Sequence, residues 1–86
     1  MRARVYVTLK PSVFDPQGRV VADALTSLGY SDVKDVRQGK FFEVELAGSD
    51  PAIARARVTE MADRLLANPV IESYRVEISE EGAAGR

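Results

Sequence analysis

The chain has 86 residues, with twelve Lys or Arg, thirteen Asp or Glu, and neither His nor Cys. It therefore offers no thiolate nucleophile, no imidazole base and no soft ligand set for zinc or iron. Carboxylates could hold a hard ion such as magnesium or calcium, but no acidic motif of that kind occurs. The net charge of −1 gives no general attraction to nucleic acid. This composition argues against an enzyme that works alone.

The length suits one small domain, predicted at residues 1–79, followed by a polar tail at 80–86 that we expect to be flexible. Uninterrupted apolar runs reach two or three residues, whereas about 20 are needed to cross a bilayer. We therefore expect a cytoplasmic protein that does not bind membranes. With no disulfide available, oligomerisation is the expected source of additional stability.

The first part of the chain predicts a strand, a helix and a second strand. Residues 2–10 alternate between apolar and polar side chains, as in a half-buried strand. Asp15-Pro16 is typical of a helix start, and Gly29 is typical of a helix end. The intervening apolar stripe comprises Val20, Val21, Ala24, Leu25 and Leu28. Residues 33–37 predict a short strand, although Val33 and Val36 fall on opposite faces.

The second part predicts a hairpin, another helix and a last strand. Gln38-Gly39 is a plausible two-residue turn into a strand at 41–46. Asp50-Pro51 starts the second helix, which ends at Asn68-Pro69, and a strand follows at 71–78. The order βαββαβ predicts a ferredoxin-like α+β fold. It would have a four-stranded antiparallel sheet with two helices on one face.

The opposite face of that sheet would carry no helix. Its outward side chains mix both charge signs with aromatic rings, so a second copy of the same face could pair with it. The candidates for self-association are Arg4, Tyr6, Phe41, Glu43 and Arg75. A solvated face is the simpler alternative. An RNA-binding face is disfavoured, because Glu43 and Glu45 would repel phosphates beside Phe41.

A catalytic, cofactor-binding or metal-binding constellation is not apparent. The loop from Lys10 to Gly18 leads into a helix N-terminus whose amides could hold an anion, but we expect Asp15 to occupy that position. Arg37 and Lys40 flank the predicted hairpin turn, which lacks the spacing of a phosphate-binding P-loop.

Four segments share a distinctive combination of residues. They are Val5-Tyr6-Val7-Thr8-Leu9-Lys10-Pro11, Asp15-Pro16-Gln17-Gly18, Asp35-Val36-Arg37 with Gly39-Lys40, and Leu65-Leu66-Ala67-Asn68-Pro69-Val70-Ile71-Glu72. Together they resemble the PurS family, the small subunits of the multi-subunit phosphoribosylformylglycinamidine synthases of bacterial and archaeal purine synthesis. The resemblance covers roughly residues 4–78.

The resemblance implies a subunit without an active site or a bound cofactor of its own. In the family assembly, a PurQ-like glutaminase releases ammonia, and a PurL-like synthetase uses ATP and magnesium to activate formylglycinamide ribonucleotide. The small subunit would bridge the two for ammonia transfer, as a homodimer or a higher homo-oligomer. An alternative with the same element order is an ACT-like regulatory module that binds small molecules near Gly29.

The resemblance also nominates partner-interface residues in three separate parts of the chain. They are Lys10, Asp15, Gln17 and Gly18 in the first loop, Asp35, Arg37, Gly39 and Lys40 around the predicted hairpin, and Asn68, Pro69, Ile71 and Glu72 before the last strand. Among them we expect Arg37 and Lys40 to contact partners first, because the predicted fold does not need their charge.

Overall fold

A computed structural model of the chain describes residues 1–79, so the predicted flexible tail at 80–86 lies outside the described residues. The elements are β1 (Arg2–Leu9), α1 (Pro16–Ser27), β2 (Gly39–Glu45), α2 (Pro51–Met61), a π-helical turn (Ala62–Leu66) and β3 (Glu72–Ser79). Among the helices of this part of the chain, none has the length and apolar character needed to cross a membrane.

The three strands form one antiparallel sheet in the order β2-β1-β3. At the middle of β1, Tyr6 pairs with Phe41 on one side and with Arg75 on the other. The predicted alternation in β1 is confirmed, since Val5 and Val7 are buried while the residues between them point to the opposite face. The sheet therefore has one core face and one open face.

The α+β class with two helices is confirmed, but the predicted four-stranded sheet is wrong. Residues 33–37 form no strand, and the predicted Gln38-Gly39 hairpin turn is absent, because this segment is bound to the start of α1. The main-chain N–H of Gln38 donates to Asp15 at 2.7 Å. A Cβ atom added at Gly18 would lie 2.0 Å from the carbonyl oxygen of Val36. Glycine thus allows the segment to lie against α1 instead of beside β2.

Both predicted helix starts are confirmed. The carboxylate of Asp15 accepts from the N–H of Gly18 at 2.9 Å, and that of Asp50 accepts from Ala52 at 2.9 Å. A proline follows each cap, where its missing N–H leaves no amide unsatisfied. The predicted stop after α1 is confirmed as well, since Gly29 has a φ of +106°.

The second helix, α2, packs over β1 and β3 and closes the core. Ala54, Val58 and Ala62 are buried against the apolar side of the sheet. In the π-helical turn, the N–H of Ala67 donates to the carbonyl of Ala62 at 2.9 Å, which inserts one residue into the helical repeat. Leu65, which lies in this turn, is 82% exposed.

The first helix, α1, does not lie on the sheet as predicted. It packs against no strand or helix as closely as α2 does. Its buried positions are Gly18 and Ala22, whereas Val20 and Leu28 of the predicted core stripe are 67% and 74% exposed. The sheet is therefore covered by α2, and the apolar stripe of α1 faces outward.

Candidate functional site: a loop cluster at one end of the sheet

Three connections meet at the end of the sheet where β1 finishes. The N–H of Lys10 donates to the carbonyl of Ile71 at 2.8 Å. The ammonium of Lys40 lies 3.6 Å from the carboxylate of Glu72, and residues 15 and 38 are joined by the hydrogen bond described above. The three groups of nominated interface residues, far apart in sequence, are thus neighbours. We call residues 10–18, 35–40 and 68–72 the loop cluster.

Arg37 joins the parts of this cluster through main-chain carbonyls. One terminal nitrogen of its guanidinium lies 2.8 Å from the oxygen of Lys10, 3.0 Å from that of Val13 and 3.3 Å from that of Leu9. The charge of Arg37 thus has partners within the chain. Whether the fold needs this charge is tested below, and a partner contact by Arg37 stays a prediction. Lys40 is held more loosely, 3.5 Å from the carbonyl of Leu66 and within ion-pair distance of Glu72.

Asp15 is the buried polar centre of the loop cluster, at 6% exposure. Its two carboxylate oxygens accept from the amides of Gly18 and Gln38. These hydrogen bonds favour the ionised form, and with the nearby charge of Arg37 they hold the pKa of Asp15 below its ordinary value. The helix N-terminus is thus already occupied by a side-chain anion, as the sequence predicted.

The connection before β3 is a tight turn stabilised by its own side chains. The carboxylate of Glu72 accepts from the N–H of Asn68 at 2.7 Å, and the amide oxygen of Asn68 accepts from Val70 at 3.0 Å. Pro69 lies within this turn, and Ile71 is partly exposed beside it. These contacts give Asn68 and Glu72 a structural role and leave the apolar side chains of the turn at the surface.

Outward-pointing side chains of the loop cluster are the groups available to a partner. Within residues 1–79, the structure gives the side chains of Lys10 and Asp35 no hydrogen bond or ion pair, whereas Gln17 pairs with Gln38 at 3.0 Å. Two open crevices of about 310 and 320 Å³ lie here, the first beside Asp15 and Lys40, the second beside Asp35. Their linings mix apolar side chains with charged groups and amides.

Metal-binding chemistry has no obvious location in the described part of the chain. Across residues 1–79, three or more acidic side chains do not come together as an ion-binding group. The carboxylates with clear partners, such as Asp15 and Glu72, accept from main-chain amides or pair with cations. These carboxylates therefore hold the main chain and the cations of the loop cluster in place.

The open face of the sheet holds the five self-association candidates in one patch. The rings of Tyr6 and Phe41 are stacked at 5.1 Å, and the guanidinium of Arg75 lies 4.2 Å from the Tyr6 ring centroid. Arg4 and Glu43 form an ion pair with each other at 3.6 Å, within the same chain. The stacking of Tyr6 on Phe41 and the position of Arg75 over Tyr6 depend on the cross-strand register.

Glu77 adds a contact to this patch that sequence reasoning missed. Its carboxylate pairs with Arg75 and accepts from the hydroxyl of Tyr6 at 3.0 Å. The hydrogen bond raises the pKa of Tyr6, and the two donors lower the pKa of Glu77. The alternation in the last strand placed Glu77 on this face, but its position opposite Arg4 depends on the register.

Residues 1–79 form a small α+β domain with a hydrogen-bonded loop cluster at one end of its sheet. A sequence model of the PurS family, described as phosphoribosylformylglycinamidine (FGAM) synthase, matches residues 2–80. The chain belongs to this family. It is a subunit of FGAM synthase, a ligase of purine biosynthesis.

Individual relatives agree over almost the whole chain. The PurS subunit of Synechocystis is 51% identical over 81 residues, which cover 93% of this chain and 81% of the relative. The structure of Bacillus subtilis PurS has a TM-score of 0.80 and 49% identity, covering 92% and 98% of the two chains. PurS of Methanocaldococcus jannaschii, described as one subunit of formylglycinamide ribonucleotide amidotransferase, has a TM-score of 0.83, 34% identity and coverages of 92% and 95%. With the family shown, the ACT-like and RNA-binding alternatives are set aside.

Proposed function

We propose that this chain is the non-catalytic coupling subunit of the synthase. It would bridge a PurQ-like glutaminase and a PurL-like synthetase so that ammonia passes from one to the other. In this proposal ATP and magnesium are bound by the synthetase, and the small subunit holds no cofactor. It works in the cytoplasm as a homodimer or a higher homo-oligomer, away from membranes and nucleic acid.

The observation that carries the proposal is the convergence of three interface segments in the loop cluster. Arg37 and Asp15 fix the main chain of this region by direct contacts to its carbonyls and amides. Lys10 and Asp35 remain available at its surface. A surface that is fixed before binding loses little conformational entropy when a partner docks.

The number of titratable side chains in the loop cluster also supports a contact role over a chemical one. Lys10, Asp35 and Lys40 provide both signs of charge around crevices that are open to solvent. Such a mixed surface gives orientation and specificity to a protein contact more than it gives binding energy. It therefore suits a subunit that aligns two larger proteins.

The test is a reconstitution with purified glutaminase and synthetase subunits. Product formation is measured with glutamine and, separately, with ammonia, in the presence and absence of this chain. We expect the chain to be required when glutamine is the nitrogen source and to have a smaller effect when ammonia is supplied. Glutamine-dependent turnover that is unchanged when the chain is omitted would contradict the coupling role.

A matched pair of charge reversals then locates the contact. Lys10→Glu lies in the loop cluster, and Arg57→Glu makes the same change in the crevice beside Met1 and Leu46, at the other end of β1. We expect Lys10→Glu to lower glutamine-dependent turnover while Arg57→Glu retains it. Equal losses in the two variants would argue against the loop cluster as the contact surface.

A further inference from the structure

The connection from α2 to β3 exposes three large aliphatic side chains, those of Leu65, Val70 and Ile71. Leu65 and Val70 are more than three-quarters exposed, and Ile71 is partly exposed. We call these three residues the apolar crest. Exposed leucines and valines occur singly on many proteins, but a group of large aliphatic side chains in one short connection is typical of a contact site.

The π-helical turn is the reason why Leu65 points outward. Val58 and Ala62 are buried four residues apart, so an ordinary helix would place its next core position at residue 65 or 66. In the structure the carbonyl of Ala62 accepts from the N–H of Ala67, and Ala67 is the next buried residue. The inserted residue therefore leaves Leu65 in solvent. Turns of this kind are rare in proteins and are frequent at functional sites.

Hydrogen bonds hold the rest of the crest in a fixed turn. The carbonyl of Asn68 accepts from the N–H of Ile71 at 3.2 Å and from that of Glu72 at 2.7 Å. The hydroxyl of Tyr74 donates to the carboxylate of Asp63 at 2.8 Å, which joins β3 to the π-helical turn. A turn that is already held in place loses little conformational entropy when a partner docks on it.

The charges beside the crest indicate what kind of surface would match it. Lys40 and Glu72 form an ion pair with each other at 3.6 Å. The main chain of Lys10 is bonded to that of Ile71, but in the part of the chain that the structure describes its ammonium has no hydrogen bond or ion pair. An apolar patch with a free cation at its edge is complementary to an apolar pocket with a carboxylate at its edge.

We propose that the apolar crest docks into such a pocket on the PurL-like synthetase, with Lys10 facing the carboxylate. The proposal rests on the proposed function and gives the loop cluster its apolar centre, since Val70 and Ile71 belong to both. Protein interfaces combine an apolar centre with a polar rim. The synthetase is the expected occupant because the family is a subunit of a ligase, and the synthetase would carry out the ligase reaction.

Calorimetric titration of purified synthetase with the full chain tests this contact. The test variant is Leu65→Gln with Val70→Gln, and Ile53→Gln is the matched control. Ile53 is an exposed aliphatic residue of the same helical segment, but it lies in the crevice beside Met1 and Leu46, at the other end of β1. We expect the crest variant to raise the dissociation constant by about tenfold or more, while Ile53→Gln binds like the parent chain.

Three further measurements on the same variants separate this proposal from its alternatives. Urea unfolding should give the crest variant the stability of the parent, because both side chains are exposed. Sedimentation should give it the self-associated mass of the parent, and a lower mass would make the crest a contact between copies and overturn the proposal. Titration of the glutaminase should show no difference between variant and parent, and a loss confined to the glutaminase would overturn the choice of the synthetase.

The failure of this proposal is distinguishable from failure of the coupling role. If glutamine-dependent turnover requires the chain and the crest variant binds synthetase like the parent, the coupling role stands and the crest proposal is overturned. If turnover does not require the chain and the parent does not bind synthetase, both are overturned.

The salt dependence of binding tests the proposed carboxylate beside the pocket. Lys10→Met removes the free cation, and Lys34→Met removes a cation outside the loop cluster as a control. We expect the dissociation constant of Lys10→Met to depend less steeply on salt than that of the parent, because a screened charge pair is lost. The same steepness in Lys10→Met and Lys34→Met would contradict a carboxylate facing Lys10.

Discussion

The loop cluster and the exposed apolar stripe of α1, formed by Val20, Val21, Ala24 and Leu28, differ in whether their side chains contact other parts of the chain. In the loop cluster, the charged side chains of Arg37 and Asp15 form hydrogen bonds with main-chain atoms of the same molecule. In the apolar stripe, side chains such as Val20 and Leu28 are more than half exposed to solvent. The difference shows that charged side chains in the first region bind atoms of the same chain, whereas the apolar side chains of the second are left exposed to solvent.

We expect the largest loss of stability from a substitution at Gly18, where α1 meets the loop cluster. Gly18→Val would place a branched side chain against the carbonyl of Val36, where even a Cβ atom would lie 2.0 Å away. We expect a loss of about 1–3 kcal/mol or more in the free energy of unfolding, as for other overpacked sites. Urea unfolding of a dilute sample measures it.

Ala24→Val is the matched control for this change, since Ala24 lies on the exposed side of the same helix. We expect it to alter the free energy of unfolding by less than about 0.5 kcal/mol, as is usual for surface changes. If Gly18→Val were as stable as Ala24→Val, the segment at 33–37 would not be bound to α1, and its predicted strand would have to be reconsidered.

A smaller effect is expected from Arg37→Met, which keeps the length of the side chain and removes its contacts to three carbonyls. Because this side chain is exposed to solvent, we expect a loss of about 1 kcal/mol, which is below the range of about 1.5–3 kcal/mol for hydrogen bonds to charged groups. Thermal unfolding measures it, with Lys34→Met as the control. Stability equal to that of the control would mean that the charge of Arg37 does not hold the loop cluster together.

We expect the smallest effect from Asp15→Asn, which should change how the free energy of unfolding depends on pH. Its folded-state pKa is lowered, chiefly by the amides of Gly18 and Gln38. The stabilisation is therefore present above the unfolded-state pKa and is lost as pH falls through the folded-state pKa. We expect Asp15→Asn to reduce the acid-side slope of stability measured by urea unfolding.

Glu77 and Asp23, whose pKa values are also lowered, should retain their part of that slope in the Asp15→Asn variant. The comparison to make is between the two slopes below about pH 5, where carboxylates with ordinary pKa values begin to bind protons. An unchanged slope in Asp15→Asn would argue against ionisation of Asp15 as a stabilising feature of the loop cluster.

Local signals in the sequence were sufficient for several elements of the fold. The alternation around Val5 and Val7 placed β1 and its two faces correctly. The Asp-Pro pairs at 15–16 and 50–51 marked both helix starts, because a capping carboxylate followed by proline satisfies the first free amides. Each of these signals lies within a few residues of the element that it predicts.

Tertiary contacts account for the elements that the sequence did not predict. Residues 33–37 do not form the expected strand, because the segment contacts Gly18 and Asp15. A local sequence pattern does not indicate that these two parts of the chain come together. The stripe of α1 showed the correct periodicity, but periodicity alone does not say whether a core or another molecule covers an apolar face. The π-helical turn that exposes Leu65 likewise has no signature in the sequence.

The loop cluster was predictable in part. The family resemblance nominated its three segments, and chain topology brings them to one end of the sheet. The role of Arg37 was not predictable, since its partners are carbonyl oxygens, which every residue carries and no side-chain pattern identifies. The pairing of Lys40 with Glu72 similarly required the positions of β2 and β3.

The central claim, that the loop cluster contacts the partner subunits, is tested most directly by the mass of the assembled complex. Light scattering after size-exclusion chromatography is applied to the Lys10→Glu chain, alone and mixed with glutaminase and synthetase. We predict that the variant keeps the self-associated mass of the parent chain when alone and fails to join the partner subunits in the mixture. Incorporation of the Lys10→Glu chain at parent levels would contradict the account.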